Sequence, residues 1–174
     1  NRVWRWHFGK GLVPTVDNFG LRGQPPTHPE LLDWLAIQFV EQGWSLKTLH
    51  RTIMLSAAYQ RQSGLDERAA SIDPGNKFYW RYDLHRLDAE SIRDALLAVS
   101  GTLDTTMGGS LVPVKNREFF FNHTSEDKAS YENIDRRSIY VPVVRNHLYD
   151  VFKLFDYTDA SVLNGNRESS TIAP

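Results

Sequence analysis

Arg86, Glu90, Arg93 and Asp94 lie within nine residues of one another, at spacings of three, four and seven that place them along one helical face or its edge. Two kinds of chemistry fit such a set. A recessed carboxylate at Glu90 with cations beside it has the composition of an acid–base group. The same charges can instead cap the helix or brace it against a neighbour through Arg–carboxylate pairs, and this is the preferred reading. The loop Asp17-Asn18-Phe19-Gly20-Leu21-Arg22-Gly23 is a second candidate, with Asp17 as an acid–base group and Arg22 as an anion contact. Backbone freedom beside two charges suits a ligand loop, but it equally suits a tight, self-bonded turn.

A third group, Arg136, Arg137, Tyr140, Arg145 and Asn146, gathers fixed cations that could clamp a carboxylate or sulfate. Its structural alternative is pairing with Glu118, Asp150 or Asp156. That alternative is favoured because Lys and Arg number 20 against 21 Asp and Glu, leaving no surplus of cations. Arg22, Arg93, Arg137 and Arg145 are thus the candidate ligand-binding residues, and Glu90 and Asp17 the candidate catalytic ones. His7, His28, His50, His85, His123 and His147 are scattered, with no H-E-x-x-H pattern, and no metal site is expected. No G-x-S-x-G elbow, P-loop or dinucleotide fingerprint occurs. Trp4, Trp6, Trp34, Trp44 and Trp80 suit sugar stacking if exposed, but aromatics at helical spacing read first as core.

Composition narrows the classes further. A net charge of −1 lacks the electrostatic footprint of a chain that neutralises many phosphates, so nucleic acid is not an expected partner. With no cysteine the chain can form no disulfide, thiolate metal site or thioether-linked haem. No apolar run approaches the roughly 20 residues that span a bilayer, and no membrane insertion is expected. Both ends read as cut, so the 174 residues are expected to be one domain from a larger multidomain protein.

Helices must position these residues. The first is expected to close at Gly9, where positive φ is free of penalty. Thr27-His28-Pro29-Glu30 has the form of a capping box, opening a central helix through Leu31, Leu32, Trp34, Leu35, Ile37, Phe39 and Val40, with Gly43 as its stop. Ser45 can cap a partner helix bearing Leu46, Leu49, Ile53 and Ala57, making a helical hairpin. Asp73-Pro74-Gly75-Asn76 signals a turn. A third long helix is expected from about Asp88 to Ser100, with Ala89, Ile92, Leu96 and Val99 on its apolar stripe and Gly101 after it. Beyond it, residues 117–121 and 138–144 have strand composition, and Pro142 suits an edge or bulge. The expected fold is mainly α: a helical bundle-like core over about residues 1–101, then a mixed and irregular segment over 102–174 with a small antiparallel β ribbon.

Several blocks carry a family resemblance: Asn1-Arg2-Val3-Trp4, His7-Phe8-Gly9-Lys10-Gly11-Leu12-Val13, Asp17-Asn18-Phe19-Gly20 and His28-Pro29-Glu30-Leu31-Leu32-Asp33-Trp34-Leu35. It continues in Gly43-Trp44-Ser45-Leu46-Lys47, Arg86-Leu87-Asp88-Ala89-Glu90-Ser91-Ile92-Arg93-Asp94-Ala95 and Arg137-Ser138-Ile139-Tyr140-Val141-Pro142-Val143. Across most of its length the chain resembles the planctomycete-specific domain of unknown function (the PSD-one family) found C-terminal to cytochrome-C-like domains. The resemblance implies an extracytoplasmic setting, partner domains in the same polypeptide, and haem in a separate domain. It names no reaction. The expected function is a non-catalytic binding or scaffolding module, with polysaccharide as a candidate ligand and no cofactor in this segment. The alternative is a hydrolase-type domain acting on a polysaccharide or other anionic substrate.

Overall fold

A computed structural model describes residues 1–109, 111, 134–143 and 148–158. The described chain is mainly helical: α1 (Arg2–Phe8), α2 (Pro29–Glu41), α3 (Leu46–Met54), α4 (Glu67–Ile72), α5 (Ala89–Ser100), a 3-10 turn at Ser138–Tyr140, and α6 (Asp150–Leu154). It divides into two units, Asn1–His85 and Arg86–Pro174. Among the described residues no helix is long and apolar enough to cross a membrane.

In the first unit Trp4 and Phe8 are one turn apart on α1, so they share a face and stack with ring centroids 4.3 Å apart. With Leu12, Leu35 and Ile53 they form the core. Gly9 ends α1 at φ 74°, as expected. Val13 is then held by the Asn1 amide, whose Oδ1 accepts the Val13 N–H at 2.8 Å and whose Nδ2 donates to the Val13 carbonyl at 3.2 Å. Ser45 caps α3, its Oγ accepting the Thr48 N–H at 3.2 Å. The Asp73 turn closes through the Asn76 N–H, which donates to the Asp73 carbonyl at 3.1 Å.

Two expectations for α2 fail. The capping box does not form: His28 is the N-cap without a side-chain cap bond. Both the N–H and the hydroxyl of Thr27 donate to the Leu12 carbonyl, at 2.8 and 3.1 Å. Leu12 is fully buried, and a buried carbonyl needs a donor, so the loop takes the group the helix end was expected to use. Nor is α2 enclosed by neighbours: Leu35 is its buried residue, while Trp34, Ile37 and Val40 are exposed. Trp6 and Trp44 are exposed too, so the tryptophan core expectation holds for Trp4 and not for these. Trp44 follows Gly43 in the turn after α2 at φ 60°, which carries its ring out to rest on Phe39.

In the second unit Asp88 caps α5 by accepting the Ser91 N–H at 3.1 Å, and Gly101 closes it at φ 77°. Of the expected stripe Ala89 is buried and Ile92 half-buried, while Leu96 and Val99 are exposed and Arg93 is buried instead. Four residues apart, Ala89 and Arg93 share one face, and α5 packs that way against α6 and the 3-10 turn. Val141 and Phe152 complete this core with Ala89.

The expected strand at residues 117–121 lies outside the described residues. In the second expected strand Ser138–Tyr140 is instead a 3-10 turn, because Asp94 draws in the backbone N–H of Ser138 at 2.7 Å and bends the chain there. The described pairing nearby is one parallel bridge between Asp104 and Arg136.

Candidate functional site

Of the residues nominated by spacing, the fold gathers Arg93 and Asp94. The Arg93 side chain is only 5% exposed. Its Nη1 donates to the Arg136 carbonyl at 2.8 Å and to Ser138 Oγ at 3.2 Å, while Nη2 donates to the Ile134 carbonyl. The guanidinium also lies over the Tyr149 ring, 5.6 Å from its centroid. Asp94 Oδ1, 3.6 Å from Arg93 Nη1, accepts both the N–H and the hydroxyl of Ser138, the latter at 2.6 Å. The hydrogen bonds of the pair all run to main-chain groups of residues 134–138 or to the Ser138 hydroxyl, so the pair pins residues 134–138 to α5. Within this set Arg93 and Asp94 act as a brace, with the guanidinium shared mainly among carbonyls rather than among carboxylates.

Glu90 is half-buried in the first turn of α5, and Arg137 is exposed. Asp17 and Arg22 are exposed in a loop of the first unit that is self-bonded: Asn18 Oδ1 accepts the Gly20 N–H at 3.2 Å, and the Thr15 hydroxyl donates to the Asn18 carbonyl at 2.8 Å. Arg145 lies outside the described residues. Of the acids expected to pair with the third cluster, Glu118 lies outside the described residues, and Asp150 and Asp156 lie beside cations from outside the cluster. Asp156 pairs with Arg86 at 3.0 Å, Asp150 with Lys153 at 3.0 Å, and Arg136 with Asp104 at 3.9 Å. Arg136 also donates to the Thr106 and Gly108 carbonyls and lies 4.1 Å from the centroid of Tyr140. It serves as a second brace, and Asp104 is held below the usual carboxylate range chiefly by its hydrogen bonds from Thr106.

The first unit contains a cleft that the spacing argument missed. Its volume is about 480 Å³, and its lining includes Phe8, Lys10, Ser63, Arg81, Tyr82 and Asp83. The walls come from the end of α1 and from the irregular residues after the Asp73 turn. Asn76 shapes that return, because its Nδ2 donates to the Arg81 carbonyl at 2.9 Å while its backbone sits at φ 50°. The Tyr82 hydroxyl donates to the His7 carbonyl at 2.7 Å and fixes one wall. Burial, with Tyr59 adding, raises the Tyr82 phenol to about 12, so it is a donor at neutral pH.

Inside, Asp83 lies between two cations: Arg81 Nε donates to Oδ1 at 3.0 Å and Lys10 Nζ to Oδ2 at 3.4 Å. Burial pushes the Asp83 carboxyl up, but hydrogen bonding from Asn76 and the charges and hydrogen bonds of Lys10 and Arg81 outweigh it and hold it below its ordinary value. Lys10 and Asp83 are 73 residues apart in sequence, which is why no local pattern announces the site. The Lys10 and Arg81 side chains can donate hydrogen bonds to an acceptor on a small polar ligand.

Deeper in the same unit, His7 Nε2 and His50 Nδ1 are 2.8 Å apart, with the Tyr59 ring edge-on to His7. Burial first, and then the facing His50, lowers the His7 pKa. Among the described residues no group of three or more His, Asp or Glu side chains is arranged to hold a metal ion.

No curated protein and no solved structure matches the chain. A family model does, and its match runs over residues 1–174. The chain belongs to the PSD1 family, described as a protein of unknown function (DUF1553).

Proposed function

We propose that this chain is a non-catalytic binding or scaffolding module of an exported multidomain polypeptide, with polysaccharide as its ligand class and cytochrome-c-like domains, carrying any haem, as its neighbours. The observation that supports the non-catalytic part is the use of Arg93. Its guanidinium is buried against main-chain carbonyls and the Ser138 hydroxyl, so it is occupied in holding the second unit together rather than turned to a substrate. The exported setting and the neighbouring domains rest on the resemblance to planctomycete domains that follow cytochrome-C-like ones.

The test is a titration of the intact parent polypeptide against neutral and acidic polysaccharides, with product release followed in the same samples. Saturable binding without release of shorter chains is the expected result. Hydrolysis that disappears in Glu90→Gln, while circular dichroism and melting temperature stay as in the parent, would establish the hydrolase reading instead.

A further inference from the structure

We infer that the cleft beside Asp83 binds a singly charged oxyanion, a carboxylate or a sulfate ester, carried on a small polar ligand. This rests on the binding-module reading and names the chemistry of the ligand and where it sits.

The charge balance comes first. Lys10 and Arg81 face one carboxylate, Asp83, among the cleft's lining residues, which leaves one positive charge in excess. A further acid whose charge Lys10 feels, Asp73, is already engaged: its Oδ2 accepts the Phe78 N–H at 2.8 Å, and Lys77 as well as Lys10 lies within its field. Counting Asp73 and Lys77 together leaves the excess unchanged. A monoanion neutralises it, whereas a dianion would overshoot.

The donors come next. Asp83 engages Arg81 through Nε, and among the described residues the two Nη groups of Arg81 make no hydrogen bond. The Nη edge is the fork that pairs with two oxygens of one oxyanion. Arg81 Cζ lies over the Trp80 ring, 4.8 Å from its centroid, and Asp83 holds the guanidinium at Nε, so the fork is held in place before a ligand arrives. Lys10 is 64% exposed at its side chain and makes only two long contacts, at 3.3 Å to the Gly75 carbonyl and 3.4 Å to Asp83, leaving a donor for the same anion. Ser63 and Tyr82 are among the residues that complete a cleft of about 480 Å³, a size that holds a small molecule rather than a bare ion.

The experiment uses the whole 174-residue chain at a pH of about 8.5, where inorganic phosphate is chiefly the dianion and Lys10 keeps its charge, and four probes followed by calorimetry and by two-dimensional NMR: glucuronate, methyl sulfate, inorganic phosphate and glucose. Saturable binding of glucuronate or of methyl sulfate is expected, and their relative affinity identifies which oxyanion the site prefers. Arg81→Gln removes the fork and is expected to weaken binding about tenfold. Lys10→Glu, at an exposed position that does not threaten the fold, turns the excess charge negative and is expected to abolish it. The inference is overturned if neither monoanion saturates in the tens of millimolar, if phosphate or glucose binds as tightly as the better monoanion, or if Lys10→Glu leaves affinity intact. Polysaccharide binding that survives both substitutions would refute this cleft while leaving the binding-module reading standing.

Discussion

Replacing Arg93 by Met keeps much of the aliphatic length that α5 presents but deletes the donors that hold residues 134–138. The guanidinium makes three hydrogen bonds, and it is the charged partner in each. Hydrogen bonds to charged groups are worth about 1.5 to 3 kcal/mol apiece, and stranding a buried partner adds the desolvation of the carbonyl left behind. Some of that is recovered because the Met side chain is apolar and stays buried against Tyr149 and its neighbours. Removing one member of a buried charged network in this way costs about 3 to 5 kcal/mol, and that is the expected loss. Arg93→Lys keeps the charge, but one ammonium cannot span the Ile134 and Arg136 carbonyls together, so roughly half the loss should remain. Urea unfolding followed by circular dichroism measures both, with hydrogen exchange at the Ser138 and Val141 amides reporting the local release. A loss below about 1 kcal/mol for Met, or full stability for Lys, would show that the carbonyls are satisfied without the guanidinium and that the brace argument is wrong.

Four further outcomes rest on the same geometry. Because the folded His7 binds its proton less readily than the unfolded one, the fold's contribution from this group is complete above about pH 6.5 and is lost as pH falls through the lowered folded value. Melting temperature should therefore decline from pH 7 to pH 5, and His7→Gln should flatten that decline; an unchanged slope would count against the His7–His50 contact. The depressed carboxyls of Asp73, Asp83 and Asp104 act in a separate window, supporting the fold above their unfolded values and losing that support only at more acid pH. Phe152→Ala, at a side chain 1% exposed, should cost about 3 to 5 kcal/mol in chemical denaturation, and Asp88→Ala, which removes the α5 cap, about 1 kcal/mol.

What could be read from the chain alone was whatever a residue settles with neighbours a few positions away. Ser45 reaches Thr48, Asp88 reaches Ser91, and Gly9 and Gly101 take the left-handed conformation at the residue after a helix. Each closes a loop of three or four residues, so its entropy cost is small and its outcome depends little on the rest of the fold. Thr27 marks the limit of such reasoning. Its hydroxyl had a local helix end available, yet the buried Leu12 carbonyl fifteen residues away took it, because an orphaned buried acceptor costs more than a helix terminus that water can reach. Tertiary structure alone decided that Arg93 rather than Leu96 or Val99 would face inward, since only residues 134–138, brought up across more than forty positions, could satisfy a buried guanidinium. It also decided that Lys10 and Asp83 would share a cleft. Side chains 73 residues apart carry no spacing signal, and only the folded path of the backbone makes them neighbours.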